Sequence, residues 1–197
     1  MLLCYKEIEI FDDMEIGMGF VWSRLYDTLH RKFVSIQDSD AHIAVGVSFP
    51  DYGAGTFRLG ARLRLFSPDE RILQKLELNE ILDILGDYID MSETKEVPTE
   101  HSYALFSRKQ FKKSNPLRLA RRYAKRHGVS LQEAIGRYAA LDSEKVIREN
   151  NLPFINMNSA STNRRYKLFV KKEESDIRRD GVFNTFGLGG DATVPIF

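Results

Sequence analysis

The residues able to do chemistry are few. There are four histidines, His30, His42, His101 and His127, and no two stand four apart as on a zinc-binding helix. Cys4 is the single cysteine, so neither an internal disulfide nor a thiolate zinc site is possible. The acidic pairs Asp12-Asp13 and Asp38/Asp40 lie in turn-like sequence, where capping explains them more simply than metal binding. The reading is therefore of no metal and no cofactor. His30, next to Arg31 and Lys32, can act as a base near neutral pH, although a helix histidine in such company is more often structural. Ser159, Ser161 and Thr162 form a cluster of loop hydroxyls, for which turn duty is the commoner role.

The cations are more telling. Residues 1–100 hold 10 Lys/Arg against 19 Asp/Glu, and residues 101–197 hold 19 against 9. No acid interrupts the stretch from Glu100 to Glu133, which carries Arg108, Lys109, Lys112, Lys113, Arg118, Arg121, Arg122, Lys125 and Arg126. Solvated helices ordinarily interleave both signs. An unbroken cationic run points instead to a polyanion, and nucleic acid is the expected partner.

These groups need elements to carry them. Leu2–Ile10 alternates as a strand, and Met14–Val34 reads as a helix with Phe20, Leu25, Leu29 and Phe33 on its apolar side. His42–Phe49 and Phe57–Phe66 read as strands, Ser67–Leu76 as a helix, and Ile81–Ile89 as a closing apolar run. Strand, helix, strand, strand, helix, strand is the order of a split βαβ, ferredoxin-like unit. Further on, Tyr103–Arg108 reads as a strand. Asn115 caps a helix that begins at Pro116 and ends at Gly128, with Leu117, Ala120 and Ala124 as its apolar side. Ser130-Leu131-Gln132-Glu133 reads as a capping box, and Ser143–Glu149 as a short helix. Leu152–Met157 and Tyr166–Val170 read as paired strands, and Val182–Phe186 as a last strand before Gly187-Leu188-Gly189-Gly190. The expected fold class is α+β: a ferredoxin-like (RRM-like) domain over 1–98 and an α/β domain with an arginine-rich nucleic-acid-binding helix over 99–197.

The chain has 197 residues, 43% of them hydrophobic, enough for a core. No apolar run reaches the roughly 18 residues of a membrane span. Met1–Glu7 meets charge too early for a secretory signal, so a cytoplasmic location without membrane partners is expected. Gly53-Ala54-Gly55 leads into a strand and not a helix, which excludes a dinucleotide-binding turn.

The order of several pieces carries a resemblance. Leu29-His30, Gly46-Val47-Ser48-Phe49-Pro50, Ser107-Arg108-Lys109-Gln110, Lys113-Ser114-Asn115-Pro116 with the basic helix, Leu152-Pro153-Phe154, Ser159-Ala160-Ser161-Thr162, Gly187-Leu188 and Val194-Pro195 follow one another. In that order they resemble the type I-F CRISPR repeat-processing endoribonucleases of the Cas-six superfamily, over nearly the whole chain. The resemblance implies metal-free cutting of precursor CRISPR RNA at the 3′ base of the repeat hairpin. It further implies that the products are a 5′-hydroxyl and a cyclic phosphate, and that the hairpin stays bound within a surveillance complex of other protein subunits; no obligate homo-oligomer is expected.

By position, the resemblance makes His30 the catalytic histidine and Ser159 the serine that holds the attacking ribose, with Ser161 and Thr162 in the same loop. Arg108 and Gln110 are implied to read bases low in the stem. Arg122, Lys125 and Arg126 are implied to contact the RNA from the basic helix, where Lys113, Arg118 and Arg121 add charge. Tyr166 takes the place of an aromatic that stacks on the terminal base pair. Phe186 stands where the family often has a tyrosine beside the terminal Gly-Leu, so a hydroxyl is missing there. Lys125 replaces a usual arginine and loses its bidentate fork. The alternative to an endoribonuclease is a hairpin-binding subunit that does not cut. An RRM-like regulator is disfavoured by the absence of an RNP1-type strand.

Overall fold

In the computed structural model, residues 1–11, 15–55, 57–111, 115–138, 151–159 and 162–197 are described. The alternation over Leu2–Ile10 becomes β1 (Cys4–Ile10), whose Ile8 and Ile10 enter the core. Helix α1 follows at Met18–Ser35 and buries Val21, Trp22, Leu25, Tyr26, Leu29 and Phe33. Phe20, expected on that face, is 52% exposed. It lies five positions before Leu25, and five residues are about 500° of helix turn, which carries it off the stripe.

The next expected strand divides into β2 (His42–Ile43) and β3 (Gly46–Ser48). Strand β4 is confined to Arg62–Ser67, because the residues before it are spent on turns closed by Gly53 N–H to Arg58 O (2.7 Å) and Gly60 N–H to Phe57 O (2.7 Å). The Phe57 ring stacks on Trp22 instead, 6.2 Å away. Ser67 ends β4, and Asp69 caps α2 (Glu70–Gln74) by accepting from Arg71 N–H at 2.8 Å. The apolar run after it is largely helical: α3 (Asn79–Leu85) buries Ile81 and Leu85, four apart, and only β5 (Ile89–Met91) is extended. A run of that length does not by itself separate helix from strand. β6 (Lys95–Glu96) adds a short pair to β1.

These strands form an antiparallel sheet in the order β3-β4-β1-β5, with Ile8 opposite Leu63 and, on the other side, Met91. A second antiparallel sheet, β11-β7-β9-β8, is made of β7 (Ser102–Lys109), β8 (Phe154–Asn158), β9 (Arg165–Ser175) and β11 (Val194–Ile196). β8 and β9 pair as expected, and β10 (Phe183–Asn184) is a two-residue strand on β2. Both sheets bury side chains in one core, in which Ile8 and Leu65 join Phe106, Leu168 and Val170. The fold is thus mixed α and β with antiparallel sheets. Two compact units are present, Met1–Lys109 with Pro153–Phe197, and Gln110–Leu152. This division does not coincide with the boundary expected at 98/99, because the second sheet shares the core of the first, while no described residue of 110–152 belongs to that core.

Within the second unit, α4 runs over Pro116–His127. Asn115 Oδ1 accepts from Arg118 N–H at 3.2 Å, and Gly128 stops the helix at φ 66°, where only glycine is unstrained. Its covered side differs from the expected one. Ala120 is buried and Leu119, Tyr123 and Ala124 are half-buried, while Leu117 is exposed. A helical stretch at 131–138 begins with Ser130 Oγ accepting from Glu133 N–H (3.2 Å) and meets α4 through Tyr138 edge-on to Tyr123. The helix expected at Ser143–Glu149 lies outside the described residues.

Candidate RNA-processing site

Helix α1 presents Ser23, Asp27 and His30 at i, i+4 and i+7, one stripe of the helix surface. His30 is half-buried, and its Nδ1 is 2.7 Å from the carbonyl oxygen of Thr185. A carbonyl only accepts, so Nδ1 carries the proton and Nε2 is the basic atom of the neutral ring. The imidazole lies flat on Phe186, with centroids 4.2 Å apart and planes 5° from parallel. Arg108 covers Phe186, its Cζ 4.9 Å from the ring centre, and is 5.8 Å from that of Tyr166. His30, Phe186, Arg108 and Tyr166 therefore form one contiguous group, drawn from α1, the turn after β10, β7 and β9.

The turn that carries Phe186 is closely built. Asn184 Oδ1 accepts from Phe186 N–H at 2.8 Å and Leu188 N–H at 3.4 Å, and Asn184 O accepts from Gly187 N–H at 2.8 Å. Gly187 has φ 70°, and a Cβ there would meet Val47 Cγ1 at 2.5 Å, so both conformation and space require glycine. Tyr26 donates its hydroxyl to Phe186 O at 2.8 Å. Complete burial pushes that hydroxyl's pKa far up, so Tyr26 stays a donor. Burial also raises the Tyr166 hydroxyl, with Arg108 acting against the rise and Asp27 adding to it.

Ser159 follows β8. Its N–H donates to Arg164 O (2.9 Å), its carbonyl accepts from Asn163 N–H (2.8 Å), and Oγ accepts from the Thr162 N–H (3.3 Å) and hydroxyl (2.8 Å). The loop is joined to α1 one residue earlier, where Asp27 accepts from Asn158 N–H (3.0 Å) and Asn158 Nδ2 (2.7 Å). Ser23 donates to Asn156 O at 2.6 Å on the same strand. Asp27 is not among the residues that the sequence singles out. Its signal is nonetheless present, a lone acid on the stripe that also holds the histidine.

In the second unit, Arg118, Arg121, Arg122, Lys125 and Arg126 are all exposed along α4, and Gln110 is exposed at the start of the segment. Tyr123, between them, receives the Arg137 guanidinium (Cζ 4.9 Å from the ring centre) and packs on His127 at 4.3 Å. Lys113 and Ser161 lie outside the described residues. Among the described residues no group of three or more His, Cys, Asp or Glu side chains is assembled to hold a metal, and no helix is long and apolar enough to cross a membrane.

Residues 5–197 match the model of the CRISPR-associated protein family Cas_Csy4. The chain belongs to this family. The CRISPR-associated endonuclease Cas6/Csy4 of Escherichia coli (strain UTI89 / UPEC) is 34% identical over 196 residues, 98% of each chain. The protein so named from Pseudomonas aeruginosa (strain UCBPP-PA14) is 34% identical over 194 residues, again 98% of each chain. A solved RAMP protein binding different RNA substrates aligns over the whole of both chains at TM-score 0.37 and 13% identity, too weak a likeness to carry an argument. In this Csy4-family chain the ring against His30 is Phe186, and its face is closed off by the imidazole on one side and by contact with Arg108.

Proposed function

We propose that this chain is an endoribonuclease that cuts precursor CRISPR RNA at the 3′ base of the repeat hairpin, without metal, and stays on the hairpin as a subunit of the type I-F surveillance complex. The observation that carries the reading is His30, held by Thr185 O so that Nε2 is its basic atom, in a chain that matches Csy4-family relatives named as endonucleases over 98% of its length. The β3-β4-β1-β5 order supports a ferredoxin-like unit as the scaffold of that histidine.

RNA carries its own nucleophile. His30 Nε2 takes the proton of the 2′-hydroxyl at the cut, and that oxygen attacks the adjacent phosphorus. The bond to the 5′-oxygen breaks, leaving a cyclic phosphate and, once the oxygen is protonated, a 5′-hydroxyl. Ser159, with Ser161 and Thr162 in its loop, orients the ribose, an effect of positioning. Arg108 and the cations Arg118, Arg121, Arg122, Lys125 and Arg126, joined by Lys113, meet phosphate charge and groove edges. Gln110 and Arg108 pair with base edges low in the stem, where the open end of a short hairpin relieves the narrow A-form groove. Tyr166 caps the last pair.

The test is cleavage of the repeat RNA of the protein's own array in EDTA, beside a copy with one 2′-deoxy nucleotide at the cut. Cutting of the first alone is expected. Binding of both without cutting of either gives the second reading, a hairpin-holding subunit, which is favoured by one observation: Phe186 has no hydroxyl against His30.

A further inference from the structure

The buried carboxylate of Asp27 takes no part in the chemistry above. It is 9% exposed, and both its oxygens face a single residue, accepting the backbone N–H of Asn158 at 3.0 Å and its Nδ2 at 2.7 Å. Asn158 is the last residue of β8, and Ser159 comes next. On the helix side, His30 is three positions after Asp27, on the same stripe. One side chain thus spans the two elements that carry the proposed base and the proposed ribose-holding hydroxyl. Ser23 adds a second tie one turn earlier, to Asn156 O at 2.6 Å.

We propose that Asp27 is a positioning residue that sets the Ser159 loop against the helix turn presenting His30. The inference rests on the cleavage reading. A buried charge with hydrogen bonds on both oxygens costs desolvation that a neutral pair of side chains would avoid. What it supplies here is geometry. Two converging bonds from one residue fix both the place and the direction in which the chain leaves β8. Misplacement of a reacting group by about 1 Å costs on the order of a hundredfold in rate.

The tie works through its two hydrogen bonds and not its charge, which separates it from an acid or base. Asp27→Ala removes both acceptors. Asn158→Asp sets two carboxylates face to face. Asp27→Asn keeps one acceptor for the backbone N–H and, with the Asn158 amide turned over, regains the second bond with polarity reversed. Asp27→Asn with Asn158→Asp likewise restores both bonds.

The experiment measures the single-turnover cleavage rate of the repeat RNA and, on its 2′-deoxy copy, the dissociation constant. Asp27→Ala and Asn158→Asp are expected to cut about tenfold to a hundredfold more slowly, with affinity within about threefold of wild type. Asp27→Asn and the exchanged pair are expected within about threefold of the wild-type rate. Wild-type cutting by Asp27→Ala, an equal loss in Asp27→Asn, or affinity falling in step with rate overturns the inference alone. If Asp27→Ala does not fold by circular dichroism, slow cutting by Asn158→Asp that the exchanged pair restores supports the tie, and no restoration overturns it. A wild-type protein that binds and does not cut overturns the cleavage reading and this one with it.

Discussion

His30 and Phe186 lie face to face, 4.2 Å between ring centres and 5° from parallel, although 155 residues separate His30 from the Thr185 that holds its Nδ1. The stack fixes the plane of the imidazole, and the Thr185 carbonyl fixes its tautomer. Together they leave one nitrogen, Nε2, as the basic atom. A histidine held this way needs no carboxylate partner to be directed, because the backbone of the turn after β10 does that work.

Replacing His30 with alanine is expected to slow cleavage by about 10²- to 10⁴-fold, the usual share of a general base. Affinity for the hairpin should stay within about threefold. A single-turnover assay beside filter binding on the 2′-deoxy RNA checks both. Cleavage at more than a tenth of the wild-type rate would remove His30 from the mechanism.

Phe186→Leu keeps an apolar side chain and loses the flat surface that His30 and Arg108 both use. The stack and the cation–π contact are each worth about 0.5–1.5 kcal/mol. The expected result is a loss of about 1–2 kcal/mol in stability and slower cleavage. Trp22 is the chain's single tryptophan and is fully buried, so its fluorescence in urea reports the stability.

Arg122→Ala should weaken hairpin binding by leaving a phosphate without its cation. The slope of log affinity against log salt is expected to fall by about 0.7–0.9 for each phosphate no longer neutralised. Titrations of wild type and variant between low and high salt supply the comparison. An unchanged slope would mean that Arg122 does not touch the backbone.

Gly128→Ala tests the basic helix as a folded unit. No atom lies within 4 Å of where its Cβ would be, so only the left-handed backbone resists the change. The cost is about 1–2 kcal/mol, and Asn115→Ala at the other end is expected to cost about 1 kcal/mol. Each should loosen RNA binding without altering the cleavage rate of bound RNA.

The Arg62 guanidinium, bonded to Asp51, holds that carboxyl's pKa below its usual value, and the bond to Asp51 raises that of Arg62. A lowered folded-state pKa means that the unfolded chain binds the proton first as acid is added. The contribution is present above about pH 4 and is lost as pH falls below it. Both side chains are partly exposed, so it is under about 1 kcal/mol. Asp51→Asn should flatten that part of the acid limb in urea titrations followed by Trp22, and leave stability at neutral pH changed only by the constant loss of the ion pair.

Local interactions made much of this protein legible along the chain. The cap at Asn115, Pro116 at the helix start and Gly128 at its end act within one turn, so the limits of α4 follow from residue types alone. β1 and the β8–β9 pair follow from alternation with short spacing. The cationic run and the serine loop are visible for the same reason. Tertiary packing decided the rest. Ile81–Ile89 became mostly helix because Ile81 and Leu85 could bury one face together, a choice made by neighbours far away in sequence. The basic segment alone separates as a compact unit because the strands on both sides of it share the core of the first sheet. The stack of His30 on Phe186 and the tie from Asp27 to Asn158 join positions more than 130 residues apart. No local pattern specifies such pairings, because they exist only once two sheets and α1 close over a common core.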